Sequence, residues 1–424
     1  MLCSHSSQSL LSLINRFNAW LSALGLLLLV SAALALALAS LVPGNLELAR
    51  RAEAALGDAL GVPVTVQKLH WQVWPVPRLV IEGLATVQSQ PIRLNRLTLY
   101  PGMPQGFADQ GAAAHLIRID RAELEGAELP QLSLRGLGRA EADEASGLPG
   151  VSGFAGAFLA RLVFRDVNWV SRNGHTLRYE GELDFDDDGR PRMAQLRRAG
   201  AQPAAGLQLT RRGIQDQWDL HIELAHGSAD GAVSLASGAG SRLRLEGSLQ
   251  THQVDAAAAA GTFGLRPLLA GRISGRTLLW ADGASSGELA RKFQTHSNFD
   301  VSDARLQLFD LEKALRTGGR SPEGETALGE LTGHLGTVNT GQGVQLNFTD
   351  LIAQAGGDGG AMALSGRLRV SPAQRVEARF EVDLLDAVAS QPLEVSGPPD
   401  GLLMSFPRSM SGRLAGNPGR AVSP

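Results

Sequence analysis

Disulfide bonding is closed to the body of this chain. Its one cysteine, Cys3, lies ahead of a long apolar segment and has no second thiol to pair with. A body facing an oxidising compartment is therefore held by packing and sheet hydrogen bonds alone. Aromatic residues are scarce at 5%, and charged residues, at 19%, fall below the ~25% of ordinary soluble domains. The formal net charge is −3 and no basic stripe is present, which argues against a general nucleic-acid binder. Helical periodicity is missing from most of the chain. A parallel βαβ architecture needs a helix between successive strands, so that class is excluded. Cys3 also lacks the small-residue context that lipid attachment to a cysteine requires.

What is present begins with the apolar segment. No ionisable side chain occurs from Phe17 to Leu46, and Leu, Ala and Val dominate Leu21–Val42. At ~1.5 Å per residue, about 20 such residues span a ~30 Å hydrocarbon layer. The run is longer than the 7–15 residues of a signal-peptide h-region. It therefore reads as an uncleaved transmembrane signal-anchor over residues 17–43, behind a cytoplasmic tail of residues 1–16. Arg16 before the span stands against Arg50 and Arg51 after it, a difference too small to set orientation by the positive-inside rule.

A short amphipathic helix is expected over residues 44–62. Pro43-Gly44-Asn45 breaks and caps it, Gly61 stops it, and Leu48, Ala49, Ala52, Leu56 and Leu60 share one face. From Val64 the period changes to two. Val376, Ala378, Phe380, Val382 and Leu384 alternate with Glu377, Arg379, Glu381 and Asp383; the runs at 218–224, 243–249 and 344–348 behave alike. Such alternation gives one wet and one dry face, the mark of antiparallel sheet. Turn signals recur at Asn173-Gly174, Asp188-Gly189, Arg212-Gly213, Asp282-Gly283 and Gly341-Gln342-Gly343. Only one further helix, with a stripe of Leu308, Leu311, Ala314 and Leu315 ending at Gly318-Gly319, is convincing; Ala256–Ala260 suits a short helix or a small-residue strand equally. Arg139–Gly153 and the tail over residues 397–424 read as loose. The fold class is thus mainly β, with an elongated antiparallel body over residues 63–396 and roughly 20–25 strands at ~4.8 Å spacing. So long a sheet curls or closes rather than staying open and flat. Alternation suits both an apolar-lined groove and a closed β-sandwich.

Several segments, in order, resemble the AsmA-like family of inner-membrane-anchored bacterial envelope proteins. They are Ala55–Val64 with its Leu60-Gly61-Val62-Pro63-Val64 junction, Leu69-His70-Trp71, Trp74–Leu79, the hairpin Ala160–Tyr179, Gly283–Leu289, Phe309–Leu315 and Leu364–Leu385. Thr295-His296, Asp303-Ala304 and Phe309 stand where the family has glycines. The resemblance implies a single-pass protein of the bacterial inner membrane with its body in the periplasm. It implies an open β-groove that binds or conducts phospholipid, supporting outer-membrane lipid homeostasis or assembly. It implies no catalytic residue and no cofactor. The expected binding surface is the inward face typified by Val376, Ala378, Phe380, Val382 and Leu384. The alternative is a non-enzymatic structural or assembly partner of envelope or secretion machinery.

Three motifs invite chemistry and are read otherwise. Gly283-Ala284-Ser285-Ser286-Gly287 fits a nucleophile elbow, with Asp303, Asp310 and His334 in workable order. An elbow needs a parallel sheet to present its serine, and the pattern around it is antiparallel. His221, Glu223 and His226 have neither the helical i, i+4 spacing of a zinc site nor, on a strand, a common face. Asp186-Asp187-Asp188-Gly189 lacks the ligand spacing of a calcium loop and reads as a polar turn. Trp71 and Trp74 are expected to cap the apolar trough rather than to settle at a membrane interface.

Overall fold

The computed structural model describes residues 49–50, 52–54, 56–57 and 61–407, apart from 73, 103–116, 134–156, 172–173, 187–189, 238–241, 265, 285, 308, 319–322, 341–342, 358–359, 374, 385–389 and 399–400. The expected anchor and all of Arg139–Gly153 fall outside the described residues. No helix among those described is long and apolar enough to cross a membrane.

One sheet of 20 strands forms the body. Its first half runs β1 (Val64–Gln72), β2 (Arg78–Thr86), β3 (Arg93–Pro101), β4 (Ile117–Pro130), β5 (Ala157–Leu159), β6 (Arg161–Val170), β7 (Thr176–Phe185), β8 (Pro191–Arg198), β9 (Ala205–Arg211) and β10 (Gln217–Leu224). The second half runs β11 (Gly227–Ser237), β12 (Leu243–Asp255), β13 (Leu269–Gly283), β14 (Gln294–Gln307), β15 (Glu325–Thr340), β16 (Gly343–Gly357), β17 (Gly360–Val370), β18 (Val376–Leu384), β19 (Gln391–Gly397) and β20 (Leu403–Ser405). Successive strands pair from β1–β2 to β19–β20, except that β5 and β6 do not pair with each other. β5 and β6 are separated by Ala160 alone and both pair with β4, so together they fill one position in the sheet.

The sheet is mixed rather than purely antiparallel, because β5 and β6 run parallel to β4. Side-chain alternation is the same in both pairings, so it carries no information on direction. A parallel neighbour needs a return crossover of a dozen or more residues. β4 ends at Pro130 and β5 begins at Ala157, a separation long enough for that return, and the stretch read as loose lies between them in sequence. Two further points differ from the sequence reading. Asp282-Gly283 is no hairpin turn but the end of β13, and the tail beyond Gly397 contributes β20.

The long strands are interrupted by bulges. Register shifts occur at Asp166 in β6, Gln253 in β12, Asp303 in β14 and Asp350 in β16, with φ of 53°, 51°, 53° and 51°. Asp tolerates this left-handed region better than most residues, because its short polar side chain bonds locally. Bulges bend a strand and raise its twist, which lets a long sheet curl over its own apolar face.

Among the described residues, helices sit where strands end. Asp255 accepts a hydrogen bond from Ala258 N (2.8 Å) and starts the helix Ala256–Thr262, which settles the alanine run as helical. Helix Ser286–Lys292 follows β13, and helix Leu311–Thr317 is capped by Asp310 and closed by left-handed Gly318. At the front, helical residues between 49 and 57 bury Ala52 and Leu56 in the core, as the amphipathic reading expected. From the same helix, Glu53 accepts a hydrogen bond from Val66 N (2.7 Å) on edge strand β1. An exposed edge is a template for unwanted pairing, and this carboxylate occupies one of its donors. Glu53→Ala is expected to speed amide exchange at Val66 and to lower stability by about 1–2 kcal/mol, the cost of one unmade charged hydrogen bond. Unchanged exchange at Val66 would show that the helix does not protect the edge.

Candidate functional site

Strand parity sorts the side chains into an outer and an inner face. On β18, Glu377, Arg379, Glu381 and Asp383 are exposed, whereas Val376, Ala378, Phe380 and Val382 are buried. Leu384 continues the strand opposite Met362; its side chain is outside those described. Phe380 lies over Gly366 of β17, where a Cβ would collide with the ring and with the Arg379 carbonyl. Phe164 covers Gly181 in the same way on β6 and β7. Glycine is needed at both places for close approach, and the ring in turn covers backbone that would otherwise be wet.

The inner face carries two apolar clusters. One gathers the leading helix, strands β1–β13 and the helix Ser286–Lys292; the other gathers mainly β14–β19, and half-buried Ile273 packs against both. Between them runs a dry stripe of hydroxyls: Thr277 bonds Ser297 (2.8 Å) and Thr295 bonds Thr337 (2.6 Å). Each pair satisfies itself, as buried polar groups must. Val382 is 0% exposed. The surface expected to line a groove is thus packed against protein at this position.

The outer face is polar and carries cross-strand ion pairs such as Arg96 with Glu82 and Glu125, and Arg379 with Glu394. Exposed pairs of this kind each contribute ~0–1 kcal/mol. Leu278, Trp280 and Val338 interrupt it as exposed apolar residues, Trp280 and Val338 both standing opposite Gln294. Trp74 is 83% exposed and Trp71 and Val76 are also exposed, so the indoles do not cap the trough. Trp71 ends the edge strand, and Trp74 lies in the connection beyond it, past the cover of the sheet.

The motifs singled out for chemistry are dispersed. Ser285 is outside the described residues; the strand before it is antiparallel to both neighbours. Asp310 caps a helix, Asp303 occupies a bulge, and His334 bonds Asn298 (2.8 Å) and stacks on His296. Glu288 is drawn down to about 2 by Lys292 and by the Ala284 amide, a helix-start arrangement. His226 lies past the end of β10 in a turn, where its φ is 66°. Asp186 accepts from Arg190 N and pairs with Arg211, while Asp187 and Asp188 are outside the described residues. No group of metal-ligating side chains occurs among the described residues.

Sequence reasoning missed two arginines. Arg211, with a side chain only 4% exposed, pairs with Asp186 (2.5 Å) and Asp216 (2.9 Å) and lies 5.9 Å from the centre of the Trp218 ring. It locks adjacent hairpin ends together. Arg198 stands at an inward position of β8, in line with buried Ala194 and Leu196; a charged residue on the dry parity was the available signal. No family model, curated protein or solved structure matches the chain.

Two measurements probe these faces. Val382→Asp places an unpaired charge in a dry core and is expected to cost several kcal/mol in denaturant unfolding; native-like stability would mean that the inner face is wet at β18. On the outer face, His221 hydrogen-bonds Asp230, which raises the imidazole above its ordinary value, while Asp230 is lowered in return. The pair therefore stabilises below the raised His221 value, with that contribution lost as pH climbs through it. Its carboxylate share fades as pH falls through the lowered Asp230 value. In an NMR titration, Asp230→Asn should return His221 towards ~6.5; an unmoved midpoint would remove Asp230 as the cause.

Proposed function

We propose that this protein binds phospholipid along the apolar inner face of its sheet, as a membrane-anchored protein of the AsmA-like kind. The observation that carries the reading is a single long sheet with one apolar face, few and short helices among the described residues, and bulges that bend it. A lipid chain is chemically matched to such a face, since hydrocarbon and Leu or Val side chains exchange with little loss. Val376, Ala378, Phe380, Val382 and Leu384 represent that face on β18. Because the face is packed there, a bound chain replaces protein–protein contacts as the curl opens. The neutral tip Trp71–Pro77, with Trp74 and Val76 exposed, supports docking at a bilayer interface, where indoles settle. The resemblance further places the protein, on this reading, in the bacterial inner membrane with its body in the periplasm.

A second reading, an assembly partner without lipid cargo, draws on the exposed Leu278, Trp280 and Val338 of the outer face. The two readings part in one experiment. Full-length protein purified from membranes and extracted with organic solvent is expected to yield near-stoichiometric phospholipid by mass spectrometry. A folded protein that carries none, and captures none from phospholipid vesicles, would defeat lipid binding and leave the outer patch as the working surface.

A further inference from the structure

Arg198 is the one place where a cation stands on the dry face with nothing among the described residues to balance it. It is half-buried at the end of β8, directly opposite Tyr179 of β7. Its Nε is shut off from solvent without a hydrogen-bond partner, and the side chain takes part in no ion pair among the described residues. Burial lowers its pKa, opposed by Tyr179, and no carboxylate among the described residues offsets that burial. The contrast with Arg211, which holds two carboxylates, shows how the same fold treats a buried guanidinium that belongs to the structure alone. Leaving a buried charged donor unmade is costly, and a merely structural arginine here would be better replaced by a hydrocarbon side chain.

The surroundings define what the missing partner looks like. Arg198 and Tyr179 line a cleft with Leu196, Ile222, Leu224, Phe263 and Glu223, the last exposed and in no ion pair with Arg198. The cleft has about 10 Å³ of free space, room for one water. The cleft lies on the rim of the sheet where the chain enters β1, since β8 ends and β9 begins there, and helix Ala256–Thr262 ends at Phe263 on the same rim. A half-buried guanidinium beside a buried phenol, with aliphatic walls around them, matches an anionic head carried on an apolar tail. We propose that Arg198 and Tyr179 form the head-group seat of an anionic amphiphile, phosphate-headed, whose hydrocarbon follows the inner face from this rim. This assignment rests on the lipid-binding reading and adds to it a charge preference and an entry point. A tail wider than a water requires Phe263 to swing away.

The test uses the full-length chain in phosphatidylcholine nanodiscs, titrated calorimetrically with dihexanoyl phosphatidic acid, dihexanoyl phosphatidylcholine or inorganic phosphate. Phosphatidic acid is expected to bind more tightly than phosphatidylcholine, and Arg198→Gln to weaken it about tenfold or more, the worth of one charge-assisted hydrogen bond. In the wild type, the Arg198 Nε–H resonance should move on adding phosphatidic acid, a readout that needs no variant. Arg198→Met should unfold at no lower denaturant concentration than the wild type while losing the preference; a lower midpoint with the preference intact would make Arg198 structural. Equal binding of both lipids, untouched by Arg198→Gln, would overturn the head-group seat and leave lipid binding standing. Binding of neither lipid would end both readings. Inorganic phosphate binding as tightly as phosphatidic acid would overturn the amphiphile in favour of a free-anion site.

Discussion

A sheet with one apolar face has to hide that face, and every other feature of this molecule answers to that constraint. The chain has no disulfide to pin the layers and few, short helices among the described residues to lay over them. Bulges at Asp166, Gln253, Asp303 and Asp350, where a non-glycine backbone takes a left-handed conformation inside a strand, are the feature able to bend so long a sheet. The described helices lie at strand ends. The leading helix meets the edge strand β1, and the helix Ala256–Thr262 closes the rim between β12 and β13.

Polar groups on the dry side follow the same logic. Hydroxyls on β13–β15 pair among themselves, and Arg211 is neutralised by Asp186 and Asp216. Against that background Arg198 is an exception, and an exception on a buried surface has a physical cost that a ligand can remove. On the wet side the balance is reversed: charges are cross-strand and exposed, and the unusual residues are apolar, Trp74 in a connection and Leu278 and Trp280 on β13.

Much of this was legible in the chain. The inward set on β18, the hairpin signal at Arg212-Gly213 and the helix before Gly318 needed only local rules. Where local rules were silent, the reason is identifiable. Ala256–Ala260 had no pattern of its own, and Asp255 decided it through a cap. Asp282-Gly283 has the composition of a turn, but its ladder to β12 continues through Gly283 opposite Leu243. The tryptophans of the first hairpin were assigned inward on hydrophobicity, and their place at the end of an edge strand left them exposed.

By itself the sequence determined which side chains share a face, because the pleat alternates them whatever the strand pairs with. It also determined that the body is β, since no helical period separates one strand from the next. Only the tertiary structure decided that β6 runs parallel to β4, that Val382 is sealed, and that Arg198 has a tyrosine opposite and no ion pair among the described residues. Each of those facts depends on which segments meet across the sheet, and a pairing partner's identity and direction are written in no local run of residues.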